Sequence, residues 1–161
     1  MCRSRQKPTD VQDRSALDLA RHVKILCASY QQLTGKRLAP ESVDPVEWLN
    51  LAPFALVSHD TADDPIFNYA NRIALQLFEM TWDEFTATPS RLSAAPMDRD
   101  KRAVLLEQVA RDGYIEGYTG IRIASSGRRF RIYNTTVFNL LDEQSRHYGQ
   151  AAVLRQWEAL Q

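Results

Sequence analysis

The residues best placed to do chemistry lie on one run near the end of the chain, Phe130-Arg131-Ile132-Tyr133-Asn134-Thr135-Thr136-Val137. Read as a strand, it puts Phe130, Ile132, Asn134 and Thr136 on one face and Arg131, Tyr133, Thr135 and Val137 on the other. A carboxamide and a hydroxyl on an otherwise apolar face need partners, because leaving a polar group buried and unpaired costs about 1–3 kcal/mol. Either Asn134 and Thr136 bond a ligand in a cavity, or they bond backbone, water or a helix end. The preceding run, 114–124, pairs with this one through a turn at Ser125-Ser126-Gly127. Two registers are open. A two-residue turn places Thr119, Ile121 and Ile123 beside Phe130, Ile132 and Asn134. A three-residue loop places Tyr118 and Arg122 there instead, with a guanidinium suited to an anionic ligand. A slip of one residue exchanges the whole set. With Phe78 and Trp82 from the middle of the chain, the candidate pocket residues are Phe78, Trp82, Tyr118, Arg122, Phe130, Ile132, Asn134 and Thr136.

Other chemistry is thin. His59, Asp60, Asp63 and Asp64 are metal-ligand types, but "HDTADDP" has the composition of a turn. His22 and His147 have no marked partners, and Glu116 and Asp112 are too loosely placed for acid–base work. There is no GxSxG and no glycine-rich phosphate loop. The 20 basic and 20 acidic residues cancel, so no general field draws the chain to nucleic acid. Cys2 and Cys27 form no CxxC pair or zinc-type cluster, which fits a reducing cytosol rather than a disulfide framework. No apolar run reaches the roughly 18 residues of a membrane span, and the start lacks a hydrophobic signal core. The expectation is a cytoplasmic protein without membrane or nucleic-acid partners.

The elements that would hold these residues follow from periodicity. Residues 1–14 are polar and read as a disordered tail. From Ser15, the residues Ala16, Leu19, Val23, Leu26, Tyr30 and Leu33 form one apolar stripe of a helix that Gly35 ends. That stripe packs either on its own domain or on a second copy. Asp44-Pro45 with Glu47 opens a short helix burying Trp48 and Leu49. Strands are expected at 54–59 and over "IFNYA", where Asn71 switches the chain into a helix with Ile73, Ala74, Leu77 and Phe78 on one face. Thr81 with Glu84 makes a capping box. A longer helix from Asp98 has Val104, Leu105, Gln108 and Val109 as its inner face and stops at Gly113. Three antiparallel strands, at 114–124, 128–141 and 147–156, close the chain. The class is α+β.

This order, and "IFNYANRIALQLFEMTWDEF" above all, resembles a PAS domain, in which short strands feed small helices across one face of a five-stranded antiparallel sheet. "SSGRRFRI" resembles the glycine turn between the later PAS strands. Residues 48–156 are identified as similar to the MEKHLA family, a PAS-like domain, through "LNLAPFALVSHD", "IFNYANRIALQLFE", "GRRFRIYNTTVFNLLDE" and "YGQAAVL". The hexapeptide that names the family is missing, and there is no homeodomain or long zipper, so the DNA-binding role of the family's plant members does not carry over. The resemblance makes 15–47 an N-terminal helical extension. Relatives with haem place a histidine on the helix here spanning 98–112, which has none, and light-oxygen-voltage (LOV) flavin domains need an Asn-Cys-Arg motif on the short helices, also missing. Haem and LOV-type flavin are therefore disfavoured, and the cofactor stays unknown.

The expected function is a sensory or interaction module that binds a small molecule or a protein partner and signals by a change of shape or oligomeric state, with homodimerisation through helix 15–34 or the sheet face. A ligand-free dimerisation domain is one alternative. A small α+β-cone enzyme, an isomerase or dehydratase, is another, and it would need a buried acid or histidine with a perturbed pKa.

Overall fold

In the computed structural model, which describes residues 9–95 and 98–161, the switch at Asn71 organises the first half of the domain. Strands β1 (Ala55–His59) and β2 (Phe67–Ala70) pair antiparallel, and helix α3 (Arg72–Phe78) starts at the next residue after Asn71. The fully buried Asn71 carboxamide makes so short a turn feasible. Its Oδ1 accepts from the Ala74 N–H at 3.1 Å, capping α3, and from the Leu56 N–H of β1 at 3.0 Å. Its Nδ2 donates to the carbonyls of Leu49 at 2.9 Å and Phe54 at 2.8 Å. One side chain thus ties helix α2 (Pro45–Asn50), β1 and α3 together with no polar valence wasted. Helix α4 (Trp82–Phe85) opens with the expected capping box, Thr81 Oγ1 accepting from the Glu84 N–H and Glu84 from the Thr81 N–H.

Strands β3 (Tyr114–Ile123), β4 (Arg129–Leu141) and β5 (His147–Leu154) complete an antiparallel sheet in the order β2-β1-β5-β4-β3. A sixth strand, β6 (Gln156–Ala159), pairs with the start of β4, so the sheet exceeds the expected five. All four β6 residues are exposed, and without an apolar alternation the sequence carries no signal for it.

The two sheet faces are covered differently. Helix α1 (Thr9–Thr34) lies on one face, where Val23, Leu26 and Tyr30 bury against Leu56, Phe138, Leu140 and Val153. The stripe is therefore used on the chain's own sheet, with Ala16 left exposed. The helix starts at Thr9, inside the tail expected at 1–14; residues 1–8 of that tail lie outside the described residues. The other face carries α3, α4 and helix α5 (Arg99–Asp112), with Phe67, Phe78, Phe85 and Phe130 clustered under the short helices. Phe67 stacks on Phe85 at 4.1 Å and Phe78 meets Phe130 edge-on at 5.3 Å.

Helix α5 is rotated from its expected setting. Leu105 and Val109 are buried as anticipated, but Val104 is 55 % exposed and Gln108 is exposed, while Arg102 and Leu106 face inward. The inner stripe is thus 102, 105, 106 and 109, a regular helical face whose first member is a cation. Asn139 of β4 fixes this setting by donating to the Val109 carbonyl at 2.9 Å.

Candidate functional site

The β3–β4 hairpin decides which side chains meet. The Ala124 N–H donates to the Arg128 carbonyl at 2.9 Å across Ser125-Ser126-Gly127, and Gly127 has φ +89. This is a three-residue loop with glycine in its left-handed position. Arg122 therefore stands opposite Phe130 and Gly120 opposite Ile132. The register is the one that carries Tyr118 and Arg122 inward.

Asn134 breaks that register. It has φ +48, a left-handed conformation that asparagine tolerates better than most residues, and it forms a bulge between the Gly120–Ile132 and Tyr118–Thr135 pairs. Its side chain is outside, donating to Gln156 Oε1 at 2.9 Å. Beyond it the strand changes phase. Phe130 and Ile132 face inward before the bulge; Thr135, Val137 and Asn139 do so after it, and Thr136 turns to the α1 side beside Val153. The expectation that Asn134 and Thr136 face the cavity is corrected by this bulge, because strict alternation fails across an extra residue. Trp82 also lies elsewhere, 39 % exposed on α4 and edge-on to Tyr69. Phe130 is fully buried among the aromatic residues rather than in the cavity wall. Ile132, Phe78, Tyr118 and Arg122 do come together around it.

The cavity lies between the sheet and α5, with about 50 Å³ open to the centres of water molecules. At about 10–15 Å³ per water it has room for roughly three to five of them. Val57, Leu105, Ile132, Val137 and Leu154 form its apolar wall. Its lining includes the buried nitrogen-bearing side chains of Arg102, Arg122 and His59. Arg122, 7 % exposed, donates through Nη1 to the Ile121 carbonyl at 2.9 Å and through Nη2 to Tyr118 Oη at 3.3 Å. Arg102, 8 % exposed, has no hydrogen bond or ion pair among the described residues. Burial, then the neighbouring Arg122 charge, pushes its pKa down to about 10. It keeps its charge at neutral pH nonetheless. His59, at the end of β1, has Nδ1 2.8 Å from the Asp60 carbonyl and a buried Nε2 with no partner. A carbonyl only accepts, so Nδ1 carries the proton and Nε2 presents a lone pair. Burial lowers the His59 pKa, favouring this neutral form. Gln150 is spoken for, donating to Asn139 Oδ1 and the Leu106 carbonyl.

Sequence reasoning missed Arg102, and it weighed His59 only as a metal-ligand type in a turn, not as part of a cavity. The only hint was Arg102's spacing of three and seven from Leu105 and Val109. "HDTADDP" does fold as a turn, with Asp60 Oδ1 accepting from the N–H groups of Ala62 and Ile66. Among the described residues no three His, Cys, Asp or Glu side chains gather as a metal site would require.

The family model of the MEKHLA domain matches residues 20–159. The chain belongs to the MEKHLA family. The match reaches past 48–156 at both ends, taking in most of α1 and β6. Solved structures place this MEKHLA domain among PAS-like folds. It is similar to the PAS domain of a protein from Colwellia psychrerythraea, at 15 % identity over 68 % of this chain and 91 % of that one, with a TM-score of 0.59. It is similar to a light-oxygen-voltage domain studied with a flavin analogue, at 16 % identity over 74 % and 87 %, TM-score 0.57. It is also similar to the light-state dimer of the fungal blue-light photoreceptor Vivid, at 15 % identity over 75 % and 83 %, TM-score 0.54. At such identities the likeness is one of fold. Comparison with curated proteins gave no match. A flavin does not fit the cavity of this MEKHLA domain: about 50 Å³ is well below the roughly 300 Å³ where ligand pockets of that class begin, and the Phe78–Phe130 contact fills the adjoining space.

Proposed function

We propose that this MEKHLA domain is a sensory module that takes a small molecule into the cavity under α5 and passes on the change through its sheet to α1. The observation that carries this reading is the cavity lined by a buried guanidinium, Arg102, that no described acid neutralises. A structural core gains nothing from such a group, whereas a binding site does. The route outward is short. Val137 and Ala152 line the cavity, and their chain neighbours Phe138 and Val153 pack under α1 on the opposite face. Any shift of β4 or β5 on binding is felt at α1, whose outer surface could then meet a second copy or another partner.

One observation favours a second reading. His59 is a buried imidazole held neutral, with a free lone pair in the cavity wall, the kind of group a small enzyme would use as a base. The test separates the two readings. The protein is purified without ligand and screened against neutral and charged metabolites of up to about six heavy atoms by thermal unfolding, with native mass spectrometry of each hit. Sensing predicts a bound molecule recovered unchanged together with altered oligomeric state or α1 exchange protection. Recovery of an altered molecule favours the enzyme. If no compound raises the unfolding temperature, a ligand-free interaction domain is the better description.

A further inference from the structure

The unmet polar groups of the cavity define what can fill it. We infer that the ligand is a short hydroxycarboxylate, with its carboxylate between Arg102 and Arg122 and its hydroxyl donating to His59 Nε2. This rests on the small-molecule reading of the same cavity and names the class of molecule.

The anion follows from charge. A guanidinium has five N–H donors. Arg122 spends two on the Ile121 carbonyl and Tyr118 Oη, and Arg102 spends none among the described residues. The charge acting most strongly on Arg102 is Arg122 itself, and no carboxylate offsets it. Two buried cations facing one space are expensive unless an anion joins them. A planar carboxylate matches the guanidinium fork in two parallel hydrogen bonds. Leu105, Ile132 and Val137 complete the wall with surface suited to carbon rather than to a fully polar oxyanion.

The hydroxyl follows from His59. Its Nδ1 proton is committed to the Asp60 carbonyl, so Nε2 is an acceptor, buried and unpaired. A carboxylate has no proton to give it. A hydroxyl on the same molecule does, and the resulting O–H···N bond gives Nε2 the partner it lacks. The size follows from the cavity. About three to five water volumes admit a molecule such as glycolate, which has about five non-hydrogen atoms.

The test uses the full chain and calorimetric titration with sodium glycolate, acetate, glycolamide and phosphate at constant ionic strength. Glycolate should bind at least tenfold more tightly than acetate, which lacks the hydroxyl, and than glycolamide, which lacks the charge. Arg102→Met, close to arginine in volume, should weaken glycolate at least tenfold, while Arg72→Met, an exposed position away from the cavity, should leave it unchanged. The ligand series on the unmodified chain decides the matter even if Arg102→Met fails to fold. Equal affinity for acetate overturns the role of His59; equal affinity for glycolamide, or tighter binding of phosphate, overturns the carboxylate. If the metabolite screen yields a neutral ligand and no carboxylate binds, this inference fails and the sensing reading stands. If nothing binds in either experiment, both fail.

Discussion

Asn71→Ala isolates what the strand-to-helix switch contributes. The substitution removes four hydrogen bonds at a fully buried position. It orphans the N–H groups of Leu56 and Ala74 and the Phe54 carbonyl; the Leu49 carbonyl keeps a second donor, the Ala52 N–H at 3.4 Å. At about 1–1.5 kcal/mol for each of three orphaned groups, the loss is about 3–4 kcal/mol. That is a large share of the 5–15 kcal/mol typical of a whole domain, and for a chain of this length it corresponds to a fall of about 6–16 °C in Tm. Asn71→Asp sharpens the test. It keeps both acceptor bonds but turns carboxylate oxygens toward the Leu49 and Phe54 carbonyls. Burial and this repulsion raise the carboxyl's folded pKa above its unfolded one. The folded state then holds a proton that the unfolded state has lost, so stability falls as pH rises through that window. Relative to the parent at each pH, the Asn71→Asp deficit should grow from pH 5 to pH 7.5, and the Asn71→Ala deficit should stay level. Urea unfolding followed by tryptophan fluorescence and circular dichroism measures both. An Asn71→Ala loss below about 1 kcal/mol, smaller than a single orphaned buried group costs, would refute the idea that this carboxamide holds the turn.

Two further outcomes are expected. Burial lowers the His22 pKa to about 4, and its Nε2 lies 2.8 Å from Ser58 Oγ. The unfolded histidine takes its proton near pH 6.5, so stability should be full above that pH and decline by up to about 3 kcal/mol as pH falls toward 4. His22→Gln should flatten that part of the urea-stability profile, leaving the contribution of His59, which is shifted the same way. Gly149→Ala should cost about 3 kcal/mol or more in thermal unfolding, because a Cβ there collides with the His59 carbonyl oxygen on the adjacent strand. The same collision moves His59, so ligand affinity should fall in that variant as well.

Local signals carried the first half of the fold into view. The Asn71 cap, the Thr81–Glu84 box and the α1 stripe each depend on residues close in sequence, where one physical rule applies at a time. The cavity was harder to read. Its lining depends on the phase of β4, and a polar residue in an extended run looks the same whether it continues the alternation or interrupts it; only the +48° φ of Asn134 distinguishes the two. Arg102 sits among "DRDKRAVLLEQVARD", where a basic residue on a charged helix reads as solvent surface. Its burial is imposed by the Asn139 anchor on β4, 30 residues from the helix end it holds. His59 closes a strand that runs into a turn of acidic residues, and nothing local marks its unpaired nitrogen.

The bulge at Asn134 also bears on how such chains can diverge. Ile132 and Thr135 face the same side with two residues between them, so deleting one leaves plain alternation and every later side chain on its present face. Losing the bulge at unchanged length would instead send Thr135, Val137 and Asn139 to the α1 side and Thr136, Phe138 and Leu140 into the cavity, exchanging the cavity wall for the seat of α1. One residue can therefore be gained or lost here together with the bulge, whereas the faces presented by Val137 and Phe138 should hold.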